Sequence, residues 1–157
     1  MIKKIFIALG IVLIVIQFIH PAQNKSTSSQ PNDIGVVMNV PDDVSITLRK
    51  ACYDCHSNNT NYPWYASFQP MAWWLNDHIK EGKSELNFSE FGSYKLKRKI
   101  KKFNEIAGEV TDGEMPLNSY TWIHKDAILT KEESNKLINW ANLMATKLER
   151  DSLLVTK

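Results

Sequence analysis

Apolar and polar positions divide the chain into three stretches. Lys3 and Lys4 precede an apolar run over residues 5–19 that only Gln17 interrupts. Residues 23–32 are rich in Ser, Asn, Gln, Thr and Pro and carry no large apolar side chain. From about residue 40 onward, apolar residues recur at helical spacing. Pro41, Asp42 and Asp43 form a helix-start signal, and Val44, Leu48, Ala51 and Cys52 then fall on one face. The turn residues at 57–61 break that helix, and Tyr62, Pro63, Trp64 and Tyr65 read as an extended aromatic loop.

Pro70 opens a second helix, expected to reach Ile79 or Lys80 and to stop at Gly82. Trp74, Leu75, His78 and Ile79 share its apolar face. Residues 86–89 read as a short connection. A third helix is expected over about residues 93–107, with Leu96, Ile100, Phe103 and Ala107 as its stripe and a basic opposite face. Gly108 and Asp112-Gly113 end it and lead into a loop carrying Met115 and Pro116. Thr130 and Glu133 have capping-box spacing, and Leu137, Trp140, Ala141, Met144 and Leu148 line the helix that follows. No segment alternates as a strand does, so the expected fold is all-α. The expected organisation is an N-terminal anchor or signal peptide at 1–22, a flexible linker at 23–40 and one domain at 41–150.

The N-terminal run has the charged and apolar regions of a secretory signal. It is short for a membrane span and nears the lower limit only with Ile2 and His20 included. Residues 20–23 offer no small-x-small cleavage site, and no cysteine precedes Cys52 to take a lipid. The reading is therefore an uncleaved anchor, or a periplasmic protein if the segment is removed. The remainder would lie on the periplasmic side of the inner membrane, which excludes nucleic acid as a partner.

Both cysteines of the chain fall in Cys52-Tyr53-Asp54-Cys55-His56. Cys-x-x-Cys-His is the attachment signature of c-type haem. Two thiols at this spacing can add to the two vinyl groups of one haem, and the adjacent histidine can reach the iron. A thioredoxin-like pair should follow a strand, and the residues before Cys52 read as helix. Structural zinc needs four ligands, and His20, His78 and His124 are scattered singly. With one such motif, one haem is expected.

His56 is the proximal ligand on this reading. Its other ring nitrogen should donate to a carbonyl, for which that of Pro63 is one candidate. Met115 is the first candidate for the sixth position, because a thioether suits haem iron and Pro116 stiffens its loop. His78 is the rival, giving a bis-histidine haem, and His124 is a third candidate. Met71 reads as packing. All five tryptophans lie in the main domain, where large aromatics such as Trp74 can pack around a flat apolar cofactor.

Several segments in order, Cys-Tyr-Asp-Cys-His-Ser-Asn-Asn-Thr at 52–60, Tyr-Pro-Trp-Tyr at 62–65 and Pro-Met-Ala-Trp-Trp-Leu-x-x-His-Ile at 70–79, resemble the haem-binding domain family of exported bacterial proteins. Leu-Asn-Phe-Ser at 86–89, Met-Pro-Leu-x-x-Tyr at 115–120, Ile-His-x-x-Ala-x-Leu-Thr at 123–130 and Trp-Ala at 140–141 extend the resemblance over about residues 40–148. It implies a cytochrome-c-like helical domain with one covalent haem c on Cys52, Cys55 and His56. His78, Met115 and His124 are marked as family positions without a choice among them. The chain departs at Phe91, where a tryptophan is expected.

Six of the 19 Lys and Arg residues are Lys95, Lys97, Arg98, Lys99, Lys101 and Lys102, and the other 13 face 17 Asp and Glu. This polarised charge is either the solvated face of an amphipathic helix or a docking patch for an acidic redox partner. Anionic lipid is a further partner for it. Three functions are open: a membrane-tethered electron carrier, a haem enzyme or sensor of peroxidase-like or gas-binding type, and a haem-bearing accessory subunit of a membrane redox complex. No other catalytic constellation is visible. Asp42-Asp43 and Glu132-Glu133 lie at helix starts, where the dipole accounts for them.

Overall fold

The computed structural model describes residues 1–155. Those residues form eight α-helices with short 3-10 turns between them and no β-strand beyond an isolated bridge between Lys25 and Asn59. The helices are α1 (Ile2–Ile16), α2 (Ile34–Val37), α3 (Asp42–Ala51), α4 (Tyr53–His56), α5 (Met71–Glu85), α6 (Leu96–Asp112), α7 (Asn118–Thr121) and α8 (Lys131–Val155). The expected all-α class is observed.

The core lies where α6 and α8 run along each other, closed at one end by α3. Phe103 of α6 is fully buried and meets Phe91 edge-on at 5.1 Å and Trp140 edge-on at 5.3 Å. Each such pair contributes roughly 0.5–1.5 kcal/mol beyond the area it buries. The Trp140 indole donates to the Asn39 carbonyl at 3.2 Å, so the core carries no orphaned N–H there. Phe91 thus fills its expected aromatic role as a core residue. A second cluster, Tyr65, Leu75 and Ile79 with Met71 and Trp74, lies between α5 and the aromatic loop.

Local signals set the helix ends. Asp42 and Asp43 occupy the first turn of α3, and Arg49 and Lys50 its last, in the order the helix dipole favours. The capping box forms as expected: Thr130 Oγ1 accepts from the Glu133 amide at 3.2 Å, and Glu133 Oε2 accepts from the Thr130 amide at 2.8 Å. Lys50 pairs with that same Glu133 and ties α3 to α8.

Three boundaries differ from expectation. The second helix, α5, runs through Gly82 to Glu85. The third, α6, starts after a 3-10 turn at Phe88–Ser93, which buries Phe88 and Phe91. It passes Gly108 and ends at Gly113, whose φ of 75° is open to glycine at no steric cost.

The segment at 23–40 is not a free tether. The Asn24 side chain donates to the Ser57 carbonyl and to Thr60 Oγ1, its amide donates to the Tyr62 hydroxyl, and the Ser26 amide donates to the Asn58 carbonyl. Ile34 is fully buried in the main core. Polar composition read as flexibility here because its partners lie more than 30 residues along the chain.

Helix α1 is exposed and apolar on all sides. Among the described residues no helix is long and apolar enough to cross a membrane. Gln17 joins this segment to the domain through paired amide hydrogen bonds with the Gln69 backbone, at 2.9 and 3.2 Å.

Candidate functional site

Helix α3 delivers the cysteine motif. Its apolar face packs Val44, Leu48 and Ala51 into the core, and after Cys52 the chain enters the single turn of α4. That turn lies against α5 because residue 82 is glycine. A Cβ there would stand 2.8 Å from the Cys55 carbonyl oxygen and 3.2 Å from the Cys55 Cβ. Contacts that short do not occur in relaxed structures, so the close approach depends on the missing side chain.

This approach sets the histidine. His56 Nδ1 lies 2.9 Å from the Gly82 carbonyl and 3.0 Å from the Leu86 carbonyl. Carbonyls only accept, so Nδ1 carries the proton and the Nε2 lone pair is left for a metal. Burial holds the imidazole below its ordinary value, opposed by the two carbonyls and reinforced by Lys102. The neutral ring is the form a metal takes up. Pro63 does not supply the acceptor: the C-terminal turn of α5 does, and Pro63 lies outside the cleft lining.

His56 faces a cleft with two lobes of about 340 and 250 Å³. Both lobes share Ala51, Cys52, His56, Glu85, Met115 and Pro116. The larger is walled mostly by apolar side chains, among them Leu48, Leu86, Phe88, Ile106, Val110 and Leu137, and is also lined by Glu85, Lys102, Glu105 and Glu109. The smaller adds Cys55, His78, Gly82 and Tyr120. The larger volume lies at the lower end of the range of small-molecule and cofactor sites. An apolar cavity edged by two thiols and a free imidazole nitrogen fits a haem.

Met115 reaches the cleft from the end of α6. The amides of Gly113, Glu114 and Met115 all turn back to the Glu109 carbonyl, which fastens the start of the loop to the helix. Farther along, the Tyr120 hydroxyl donates to Asp54 Oδ2 at 2.8 Å. Asp54 Oδ1 accepts from the Asn61 amide at 3.0 Å. One carboxylate inside the cysteine motif thus gathers both neighbouring loops.

The thiols are not poised as nucleophiles. Burial pushes Cys52 up to about 12, with Cys55 adding to the rise, and pushes Cys55 up to about 11, with Asp54 adding to it. A thioredoxin-like pair requires the opposite shift. Among the described residues no group of three or more His, Cys, Asp or Glu side chains is arranged to hold a metal by itself.

The other sequence candidates separate. His78 lines the smaller lobe, with Nδ1 2.9 Å from the Trp74 carbonyl. His124 lies outside the lining: its Nε2 is 2.8 Å from the Tyr65 hydroxyl, and its ring stacks on Tyr120 at 4.3 Å. Trp74 also stands outside, packed against His78 at 4.4 Å. Trp64 and Trp122 are exposed, and Trp140 belongs to the core, so no tryptophan lines the cleft. Of the basic run, Lys102 is buried and turned inward, whereas Lys95, Lys97, Arg98 and Lys101 are exposed.

Sequence reasoning missed the roles of Asp54, Gly82 and Lys102, and Tyr120 stood in the family resemblance without a role. A glycine inside an otherwise helical pattern was the one available signal, since such a residue marks close backbone approach.

Fold and cleft together define a small helical protein with a largely apolar cleft edged by two thiols and a free imidazole nitrogen. The sequence matches the haem-binding domain family over residues 11–143, and the chain belongs to that family. No curated protein and no solved structure matches it.

Proposed function

We propose that the chain is an exported monohaem c-type cytochrome that transfers single electrons. The observation that carries this reading is the His56 ring, held at Nδ1 by two carbonyls so that Nε2 is free in a cleft edged by Cys52, Cys55 and Met115. On this reading each thiol adds across one vinyl group, its sulfur bonding one carbon and its proton going to the other. His56 Nε2 and the Met115 thioether would hold the iron of that haem. Bound there, a haem iron exchanges one electron between its ferric and ferrous states. The apolar wall of the larger lobe keeps water from the ring, and a filled sixth position leaves no open site for catalysis.

The N-terminal helix serves as export signal or membrane attachment, placing the domain on the periplasmic side of the inner membrane. Lys95, Lys97, Arg98 and Lys101 offer a docking face for an acidic redox partner, which steers encounter at low salt. A second reading is favoured by His78, whose Nδ1 partner leaves Nε2 free toward the smaller lobe. There it replaces Met115 as ligand, or serves as distal base in a peroxidase-like or gas-binding site.

Absorption spectra of the purified protein test the proposal. Denaturation in acid acetone should leave the haem on the chain, and Cys52→Ser with Cys55→Ser should release it. The oxidised protein should show a thioether-to-iron charge-transfer band that Met115→Ala abolishes. If that band is absent in the wild type and His78→Ala makes the haem high-spin, His78 is the ligand. Rapid carbon monoxide binding by the reduced wild type would overturn the carrier reading.

A further inference from the structure

Lys102 is the one member of its basic run buried at about the 5% level, and it lies in the wall of the larger lobe with His56 and Met115. Its ammonium reaches Glu105 Oε2 at 2.6 Å and Glu85 Oε2 at 3.4 Å. Glu105 and Glu85 also line that lobe. Burying a lysine among apolar side chains carries a desolvation cost of several kcal/mol, which its pairing only partly offsets. Nothing in the packing of α6 calls for a cation here, because Phe103, Ile106 and Ala107 make the rest of its inner face. Glu85 is largely in solvent, where water screens its field, whereas Glu105 is about two-thirds covered.

We propose that Lys102 and Glu105 form an opposed charge pair that sets the reduction potential of the haem in this cleft. Lys102 raises the potential and Glu105 lowers it. The inference rests on the haem reading above. Reduction removes one positive charge from the iron, so a nearby cation favours the reduced state and a nearby anion the oxidised one. A charge buried in the wall of the cleft is screened less than one on the surface, so its effect persists in salt.

Potentiometric titration of the full-length haem protein at low and high ionic strength tests this. Lys102→Met should lower the midpoint potential at both ionic strengths, and Lys102→Arg should leave it at the wild-type value. Glu105→Gln should raise it by a smaller amount, and the double variant Lys102→Met, Glu105→Gln should fall between the singles. Lys97→Gln, exposed on the same helix, should shift it slightly at low salt and not at high salt. Equal potentials for Lys102→Met and Lys102→Arg, with the haem spectrum intact, overturn the inference and leave the haem reading standing. If Lys102→Met does not fold, a Glu105→Gln potential equal to or below wild type overturns it. Absence of haem from the wild type overturns both.

Discussion

The hydroxyl of Tyr120 donates to Oδ2 of Asp54 across 2.8 Å, so the loop that carries Met115 is closed onto the motif that carries the cysteines. The bond joins positions 66 apart in sequence. Tyr120→Phe removes this bond and keeps the ring. A hydrogen bond to a carboxylate contributes about 1.5–3 kcal/mol, and partial exposure places this one near ~1–2 kcal/mol. Urea denaturation should show that loss, with weakening of the Met115-dependent charge-transfer band.

The same phenol predicts an alkaline effect. Burial, together with the Asp54 bond and charge, raises its titration above the ordinary value of 10.0. A raised folded value means stability that is complete below pH 10 and lost as pH rises beyond it. The wild type should therefore lose stability above pH 10 by a component missing in Tyr120→Phe. Parallel melting curves from pH 9 upward measure it.

Gly82→Ala sets two effects against each other. Alanine in a helix interior gains about 1 kcal/mol over glycine. Here its Cβ would stand 2.8 Å from the Cys55 carbonyl, a backbone atom that cannot swing aside. Overpacking of this kind costs ~1–3 kcal/mol, so the clash wins. The variant should be destabilised, with weaker protection of the His56 ring from solvent. Denaturation and NMR exchange of the Nδ1 proton measure both.

The thiols of the haem-free chain should resist alkylation. A value of about 11 for Cys55, against an ordinary 9.0, leaves roughly a hundredfold less thiolate near neutrality, and Cys52 at about 12 leaves less still. Iodoacetamide labelling followed by mass spectrometry should be slow at pH 7–8 and accelerate toward pH 11. Unfolding in urea should restore the ordinary rate. Fast labelling of the folded chain at pH 7 would contradict the raised values of the half-buried thiols.

His56 makes an acid-side contribution. Desolvation lowers its folded value below the ordinary 6.5. The unfolded chain therefore takes up the proton first, and this stability, complete above pH 6.5, is lost as pH falls below it. Asp43, Glu105 and Glu133 also titrate low, through their lysine partners and hydrogen bonds, and lose theirs nearer pH 4. In the haem-free protein, His56→Asn should lack the loss that begins below pH 6.5 while keeping the carboxylate one near pH 4.

Much of the fold was legible because its signals are local. Pro41-Asp42-Asp43 starts α3, Thr130 and Glu133 cap α8, and the apolar stripes of α6 and α8 meet as their spacing requires. Gly82 and Gly108 both misled as helix stops. A glycine's role depends on what lies against it, and only Gly113 takes the left-handed backbone that ends a helix.

Of the candidate site, the sequence by itself singled out Cys52, Cys55 and His56, because the chemistry proposed for them requires fixed spacing along one turn of chain. It also singled out Met115, next to the proline that stiffens its loop. Tertiary structure decided everything that depends on one segment approaching another. It gave the His56 proton to the carbonyls of Gly82 and Leu86 instead of Pro63, and it set Trp74 and His124 outside the cleft. It drew the polar 23–40 segment onto the domain and turned Lys102 inward from a run of six similar basic residues. Residue type and spacing specify what a side chain can do; the packing of distant helices fixes which way it points and what it meets.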